Sequence, residues 1–152
     1  MLQDIMLVDD SHDDAMLIRR SLTLAGLQNR IFHIHDSRDA VAYLSGKGKY
    51  ADRSKCPLPD ILLLDLKMPE VDGFEILKWA RRQPHLARLI IVVITRTDDP
   101  RLIQMCYQLG ANSFLSKNGN SEEMRNFVQF FEHYGRVAGS LPRPSRRKED
   151  AA

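Results

Sequence analysis

Cysteine is scarce in this sequence, which has only Cys56 and Cys106 among its 152 residues. One lies in a predicted loop and the other in a predicted helix, far apart along the chain, so we expect no structural disulfide. Their separation also matches no zinc-binding spacing. The fold must therefore be stabilised by an apolar core, and a chain of this length can bury one as a single domain.

Long apolar runs and a strong net charge are absent too. No stretch approaches the ~20 consecutive apolar residues that span a membrane. Acidic residues stand near the N-terminus, where a secretion signal would carry basic and apolar blocks. The net charge of +2 is too small to indicate a nucleic-acid partner. We therefore expect a cytoplasmic protein that binds neither membrane nor nucleic acid directly.

What the sequence has instead is a regular alternation of short apolar runs with helical patterns. The runs predict strands at about residues 3–9, 30–35, 61–65, 89–95 and 113–116. Predicted helices cover about 12–25 and 38–44, then a stretch from Asp72 to Arg82, one between Asp98 or Asp99 and Gly110, and one capped by Ser121. This order predicts an α/β fold whose parallel sheet is covered by helices on both faces.

Two parts of the chain depart from this alternation. Residues 45–59 form a long connection with glycine and proline, and loops of this length are often functional or mobile. From residue 135 onward the sequence becomes rich in proline, arginine and serine. We predict one domain over residues 1–134 and a C-terminal extension over 135–152 that is partly or wholly disordered.

Polar side chains stand where the apolar runs end. Asp9 and Asp10 close the first run, Asp65 the third and Thr95 the fourth, and Lys117 follows the fifth. Right-handed crossovers place the carboxyl ends of parallel strands at one edge of a sheet, where ligands bind in such folds. Three acidic groups, a hydroxyl and an ammonium at this edge predict a site for a metal ion and a phosphate group.

The chemistry that suits these residues is transfer of a phosphoryl group to Asp65. A carboxylate is already an anion, so the acceptor needs no base, and positioning and charge neutralisation do most of the work. Mg²⁺ suits the site because it prefers oxygen ligands. Asp10 and Asp65 are predicted to bind it directly and Asp9 directly or through water, with the main-chain carbonyl of Lys67 as a further ligand.

Two other side chains are expected to contact the phosphate. The Lys117 ammonium is predicted to pair with one phosphate oxygen, and the Thr95 hydroxyl to donate to another. Asp13 and Asp14, in contrast, follow the acidic pair at the start of a helix. We expect these two carboxylates mostly to stabilise the helix terminus.

Together these residues resemble the receiver domain of two-component response regulators, over about residues 2–134. The resemblance rests on six positions in that family's order and spacing: Asp9, Asp10, Asp65, Thr95, Phe114 and Lys117, the last three being 30, 49 and 52 positions after Asp65. It implies a flavodoxin-like fold, a doubly wound sheet of five parallel strands in the order 2-1-3-4-5 with five helices, and a histidine kinase as phosphoryl donor. It also implies a switch in which Thr95 moves toward the phosphoryl group and Phe114 turns inward.

Three stretches resemble the stand-alone regulators associated with bacterial phytochromes. They are the loop at 47–51 with the segment 57–60 after it, the stretch 84–88 before the fourth strand, and a C-terminal helix that runs on toward residue 142. The resemblance implies a phytochrome-type kinase as donor. With the apolar residues Tyr134, Val137 and Leu141, it also predicts a homodimer through the last helix and its extension. The downstream protein is not identified by the sequence.

Two residues depart from the family's pattern. The family's lysine is normally followed by proline through a cis peptide, and here Asn118 follows Lys117. A cis bond before another residue costs ~2.5–4 kcal/mol, so we predict a trans bond and a somewhat displaced lysine. Arg96 stands where the family has a small residue, and it is expected either to cover the acceptor partly or to add a cation to the phosphorylated state. Lys67 and Thr97 occupy positions that tune acyl phosphate hydrolysis in the family.

Three functions are compared for this site. The leading one is a stand-alone phosphoacceptor that relays a kinase signal through protein contacts and catalyses only its own phosphoryl transfer and hydrolysis. The second is a pseudo-receiver, a constitutive binding module that takes no phosphoryl group, which Arg96 and Asn118 give reason to consider. The third is an Asp-nucleophile phosphatase. It is disfavoured because such enzymes carry a second aspartate two residues after the nucleophile, where this chain has Lys67.

Overall fold

The computed structural model describes residues 4–118 and 121–139, the last six as backbone only, and it contains the predicted alternation of strands and helices. The strands are β1 (Asp4–Val8), β2 (Arg30–Ile34), β3 (Ile61–Asp65), β4 (Ile90–Thr95) and β5 (Ser113–Ser116). The helices are α1 (His12–Leu24), α2 (Ser37–Ser45), α3 (Gly73–Arg82), α4 (Pro100–Gln108) and α5 (Ser121–Gly139). Short 3₁₀ turns occur at Gly48–Tyr50 and Pro84–Leu86. Where a strand limit was predicted, the observed limit lies within one residue of it.

The five strands form one parallel sheet in the order β2-β1-β3-β4-β5. This order confirms the flavodoxin-like topology. The register aligns Val8 of β1 with Leu64 of β3, and Asp65 with Ile94 of β4. The polar residues that follow these positions therefore meet at the carboxyl edge of the sheet.

Each strand contributes to two separate apolar cores, because successive side chains point to opposite faces of a sheet. In β3, Leu62 and Leu64 pack on the face covered by α2, α3 and α4. Ile61 and Leu63 pack on the other face, which α1 and α5 cover. All four side chains are fully buried. Burial on both faces explains why the central strands read as continuous apolar runs.

Helix starts follow the capping residues of the sequence. Asp72 caps α3, and its carboxylate accepts a hydrogen bond from the Glu75 amide at 2.9 Å. Of the two candidates for α4, Asp99 is the cap. Helix α5 begins at Ser121 itself, one residue earlier than a capping role for that serine predicts. The cap positions fix the directions in which the loops leave the carboxyl edge.

The long connection between α2 and β3 is tied to the body of the domain. Arg53 donates to the main-chain carbonyls of Tyr43, Leu44 and Cys56, at 2.7, 3.1 and 3.2 Å. The Tyr43 hydroxyl donates to the Pro57 carbonyl at 2.8 Å. Both Cys56 and Cys106 are free thiols, as predicted. These contacts order the loop from within, without a disulfide.

The predicted limit between domain and extension stays a prediction. Helix α5 continues past residue 134 to Gly139, and residues 140–152 lie outside the described part of the chain. Within the described ranges, no helix combines the length and the apolar character that crossing a membrane requires.

Candidate functional site

Three carboxylates meet at the carboxyl edge of the sheet, as the sequence predicts. Asp9 and Asp10 follow β1 and Asp65 ends β3, and one carboxylate oxygen from each lies within 4.8 Å of the others. Asp9 is 0% exposed and Asp65 5% exposed, whereas Asp10 is half-buried. Carboxylates this close and this deeply buried repel one another strongly, so the cluster requires nearby cations.

Lys117 supplies one of these cations. Its ammonium lies 2.8 Å from Asp9 Oδ2, 3.0 Å from Asp14 Oδ2 and 3.4 Å from Asp65 Oδ1, and its side chain is 7% exposed. The described residues contain no cis peptide bond, so the predicted trans link from Lys117 to Asn118 is confirmed. The ammonium reaches the carboxylates with this trans bond, so any displacement of the lysine leaves it inside the site.

The charges in this pocket shift each other's protonation. Burial raises the pKa of the Asp65 carboxyl to about 6, Asp9 and Asp10 add to that rise, and Lys117 opposes it. Burial disfavours the charge on Lys117, but its contacts with the Asp9 and Asp14 carboxylates outweigh this effect and raise the lysine's pKa. The Lys117 ammonium therefore stays charged at neutral pH, and the Asp65 carboxyl is mostly ionised there. Without a metal ion, the cluster carries more negative than positive charge.

Asp9 shows where a metal ion would fit. Its Oδ1 accepts the Ser11 amide at 2.9 Å. Its Oδ2 is buried and has no aligned hydrogen-bond donor among the described residues, although the Lys117 ammonium lies nearby. A buried carboxylate oxygen whose one close partner is an ammonium can accept a further cation, and an all-oxygen ligand set suits a hard divalent ion. The residues present therefore fit a divalent metal.

Thr95 and Phe114 lie on the neighbouring strands. Thr95 ends β4 and is buried, and its hydroxyl oxygen accepts the Thr97 amide at 3.4 Å. Phe114 of β5 is half-buried and packs against the core on the face of α2, α3 and α4. The structure thus places Thr95 at the carboxyl end of β4 and Phe114 two positions before the end of β5, while their roles in a switch remain predictions. The Lys67 side chain is exposed, and a metal contact through its main-chain carbonyl likewise stays a prediction.

Arg96 extends over the mouth of the site and pairs with Asp14. Its Nη2 donates to Asp14 Oδ1 at 2.7 Å, and its side chain is 61% exposed. The other oxygen of Asp14 accepts from Lys117. Asp14 lies in the first turn of α1, where it was expected to stabilise the helix start, but its contacts with Arg96 and Lys117 were not predicted. Its carboxylate is mostly buried and lies between two cations of the site.

The arrangement matches one protein family over most of the chain. Residues 5–129 match the response regulator receiver domain family. The chain belongs to this family. The acidic cluster after β1 and at the end of β3, and the lysine after β5, lie within the matched residues.

The relatives of this receiver include regulators named for phytochromes. It is 30% identical to the response regulator Rcp1 of Synechocystis over 138 residues, which is 91% of this chain and 92% of Rcp1. It is 29% identical to the phosphorylated cyanobacterial phytochrome response regulator RcpA, with a TM-score of 0.75 and coverage of 94% and 100%. It is 28% identical to the bacteriophytochrome response regulator RtBRR, with a TM-score of 0.75 and coverage of 99% and 89%. The predicted resemblance to phytochrome-associated regulators is confirmed.

A structure of Rcp1 in a Mn²⁺-bound form bears on the metal site. It shares 29% identity with this receiver, with a TM-score of 0.71 and coverage of 94% of this chain and 99% of the other. A relative of nearly equal length thus binds a divalent ion. In the present chain, the oxygens of Asp9, Asp10 and Asp65 lie close enough together to hold one metal ion.

Three supporting residues of the receiver were missed by sequence reasoning. Ser37 is buried at the start of α2, where its hydroxyl donates to the Pro69 carbonyl at 3.0 Å and accepts the Val71 amide at 3.1 Å. These bonds tie the loop after Asp65 to α2. His33 of β2 has Nε2 2.7 Å from the Asp9 carbonyl oxygen. Neither role has a signal in the local sequence.

Gly73 is the third, and here a signal exists. Its amide donates to the Leu66 carbonyl at 2.8 Å. A Cβ at this position would stand 2.6 Å from the Leu66 Cα and closer still to the Asp65 carbonyl oxygen. The start of α3 can therefore pack against the backbone of Asp65 and Leu66 only because residue 73 has no side chain. The turn Val71-Asp72-Gly73 marks the glycine in the sequence, but it does not indicate this close approach.

Proposed function

We propose that this protein is a single-domain response regulator that accepts a phosphoryl group on Asp65 from a sensor histidine kinase. The observation that carries the proposal is the Lys117 ammonium, buried beside Asp9 and Asp65 and within reach of both. A lysine in this position can neutralise a group that arrives on Asp65 with additional negative charge. A purely structural ion pair does not need three clustered aspartates beside it.

In the proposed reaction, an Asp65 carboxylate oxygen attacks the phosphorus of a phosphohistidine. A P–O bond forms, the P–N bond breaks, and the electron pair leaves with the imidazole nitrogen. Lys117 pairs with one phosphoryl oxygen, and the Thr95 hydroxyl donates to another. Asp9, Asp10, Asp65 and the main-chain oxygen of Lys67 would hold Mg²⁺, which would neutralise negative charge during the transfer.

The relatives support a proposal about partners. Since RcpA and RtBRR are named as phytochrome and bacteriophytochrome response regulators, we propose a phytochrome-type histidine kinase as the donor. Thr95 and Phe114 then bias the surface of β5, α4 and α5 toward the form that an as yet unidentified downstream protein binds. Homodimerisation through α5 and its extension is part of the same proposal. The side chains of Tyr134 and Val137, and the whole of Leu141, lie outside the described residues.

The alternatives are less well supported by the site. A pseudo-receiver has no need of a complete set of carboxylates and lysine, yet Asp9, Asp10, Asp65 and Lys117 converge here. A phosphatase needs a second acid near the nucleophile, and the side chain two residues after Asp65 is the exposed Lys67. The protein is therefore proposed to be a signalling phosphoacceptor that catalyses only its own phosphorylation and dephosphorylation.

The test is to incubate the protein with Mg²⁺ and acetyl phosphate and to measure its intact mass. We expect one phosphoryl adduct, which should not form when Mg²⁺ is chelated before the donor is added. Asp65→Asn should take none, whereas Asp98→Asn, which changes an exposed carboxylate instead, should match the wild type. An adduct that persists in Asp65→Asn would show that another residue is the acceptor. Light scattering tests the dimer, and a monomer at all concentrations would refute it.

A further inference from the structure

Asp14 makes contacts that the start of a helix does not require. Its side chain is 12% exposed, and its two oxygens accept from two different cations, Arg96 at 2.7 Å and Lys117 at 3.0 Å. The hydrogen bond from Arg96 is the main cause that holds the pKa of this carboxyl below its usual range. The Asp14 carboxylate is therefore ionised at neutral pH, and it is held between the Arg96 and Lys117 side chains.

These contacts connect three elements. The helix α1 supplies Asp14, the segment after β4 supplies Arg96, and the segment after β5 supplies Lys117. The two hydrogen bonds span 82 and 103 positions of the chain. Asp14 thus joins the segment that begins directly after Thr95 to the segment that carries Lys117, and these two residues are the groups proposed to contact the phosphate.

The position of Lys117 gives these contacts a consequence for the reaction. An ammonium has three N–H donors, and here it faces three carboxylate oxygens, from Asp9, Asp14 and Asp65. To pair with an arriving phosphoryl oxygen, it must weaken at least one of these contacts. Of these three carboxylates, Asp14 is the one that is proposed neither to bind the metal nor to accept the phosphoryl group. The charge of Asp14 also repels an anionic phosphoryl donor.

We propose that Asp14 is a positioning residue that restrains Lys117 in the unphosphorylated protein and slows phosphoryl transfer to Asp65. Arg96 sets the strength of this restraint, since it neutralises part of the Asp14 charge. The inference rests on the proposed function, because it concerns the rate at which the same acceptor is loaded. It assigns Arg96 to the control of Asp14 rather than to a direct contact with the acceptor.

The experiment compares Asp14→Asn with Asp13→Asn in full-length protein, using Mg²⁺, acetyl phosphate and the initial rate of adduct formation. Asp13 is an exposed neighbour in the same helical turn, so its variant makes the same change of charge and of helix-end stabilisation. Asp14→Asn should accelerate phosphorylation about threefold to tenfold, as expected for one partly screened charge near the site. Asp13→Asn should stay within about twofold of the wild type, because exposed charges are screened.

Salt concentration separates an electrostatic restraint from a structural role. The ratio of the Asp14→Asn and wild-type rates should fall toward one as KCl is raised, since salt weakens the effect of the charge. A merely structural role predicts a ratio that salt does not change. Each asparagine variant should show one cooperative thermal unfolding transition well above the assay temperature, which excludes misfolding as the cause.

Two other results have different meanings. An Asp14→Asn rate equal to or slower than that of Asp13→Asn overturns the restraint but leaves Asp65 as the acceptor. No adduct in the wild type and both variants, or an adduct retained in Asp65→Asn, overturns the proposed function itself and the restraint with it.

Discussion

Arg81 and Lys117 lie at opposite edges of the sheet, and their surroundings differ in kind. The Arg81 guanidinium donates to the Gly110 and Leu89 carbonyls and to the Asn112 side chain, at 2.7 to 2.8 Å. All three partners are neutral and fixed in place by backbone structure. Lys117 instead faces three carboxylates.

This difference distinguishes a buried polar side chain that stabilises the fold from one that belongs to a binding site. Arg81 satisfies the acceptors around it, so this edge has no need of a ligand. At the other edge, four carboxylates (Asp9, Asp10, Asp14 and Asp65) meet the cations of Lys117 and Arg96, which leaves an excess of negative charge. An excess of buried negative charge is costly unless a cation offsets it. A divalent metal ion would neutralise this excess negative charge directly.

The largest expected effect is on chemistry at the lysine. Lys117→Met should slow phosphorylation by acetyl phosphate about a hundredfold, because a preorganised cation at a developing charge contributes on this scale. The initial rate of adduct formation measures this. Lys78→Met, at an exposed position of α3, changes the net charge equally and should leave the rate unaltered. A Lys117→Met rate within threefold of the wild type would mean that the ammonium belongs to the structural class of Arg81.

The corresponding substitution at the other edge, at Arg81, should affect the stability of the fold and not the rate of phosphorylation. Arg81→Met should lower the free energy of unfolding by about 2–3 kcal/mol, because buried acceptors lose their donors. Chemical denaturation measures this, with the exposed neighbour Arg82→Met as control. Mg²⁺ should not restore the lost stability, and the folded fraction should be phosphorylated at the wild-type rate. Restoration by Mg²⁺ would contradict the division between the two edges.

The acidic cluster should itself cost stability in the absence of metal. The pKa of Asp65 in the folded protein is raised to about 6 from an ordinary value of 3.8. Between these two pH values, the folded protein therefore binds more protons than the unfolded protein. Stability from this group therefore falls as pH rises from about 4 to above 6. Asp65→Asn should stabilise the metal-free protein by about 1–2 kcal/mol at pH 7.

The pH dependence checks the cause of that gain. The advantage of Asp65→Asn should shrink toward zero as pH falls to about 4, where the wild-type carboxyl is protonated in the folded state. Denaturation at several pH values with a chelator present measures it. Asp98→Asn, at an exposed site, should show no such trend. A gain that is constant with pH would mean that the buried charge of Asp65 is not its origin.

Much of this comparison could be predicted from the sequence, and the reason is periodicity. Apolar runs on both faces of the central strands predicted the sheet, and chain crossovers then placed Asp9, Asp65 and Lys117 at one edge. Gly110 was predicted correctly as the point where α4 stops. Its second role was not predicted: with φ at 107°, it leaves space that the Arg81 side chain fills.

The missed features are contacts between side chains that lie far apart along the chain. Ser37 reaches the loop after Asp65 across more than thirty positions, and Asp14 reaches Lys117 across 103. No periodic pattern encodes such pairs, since they depend on the packing of α1 and α2 against the sheet. Asp14 was assigned to the helix start because that reading needs only its neighbours, whereas its partners are supplied by the tertiary fold.

The smallest expected effect decides what Arg96 does. If it covers the acceptor, Arg96→Ala should speed phosphorylation by acetyl phosphate. Because Arg96 is paired with Asp14, we expect Arg96→Ala to slow it by about twofold to threefold, as is usual for exposed ion pairs worth less than 1 kcal/mol. In the Asp14→Asn background the same substitution should lose that effect, since the charge it neutralises is gone. An Arg96→Ala variant that is faster in both backgrounds would contradict the pairing with Asp14 and support cover. The effect of Arg96 therefore depends on the carboxylate beside it, just as the effect of Lys117 depends on the three that it faces.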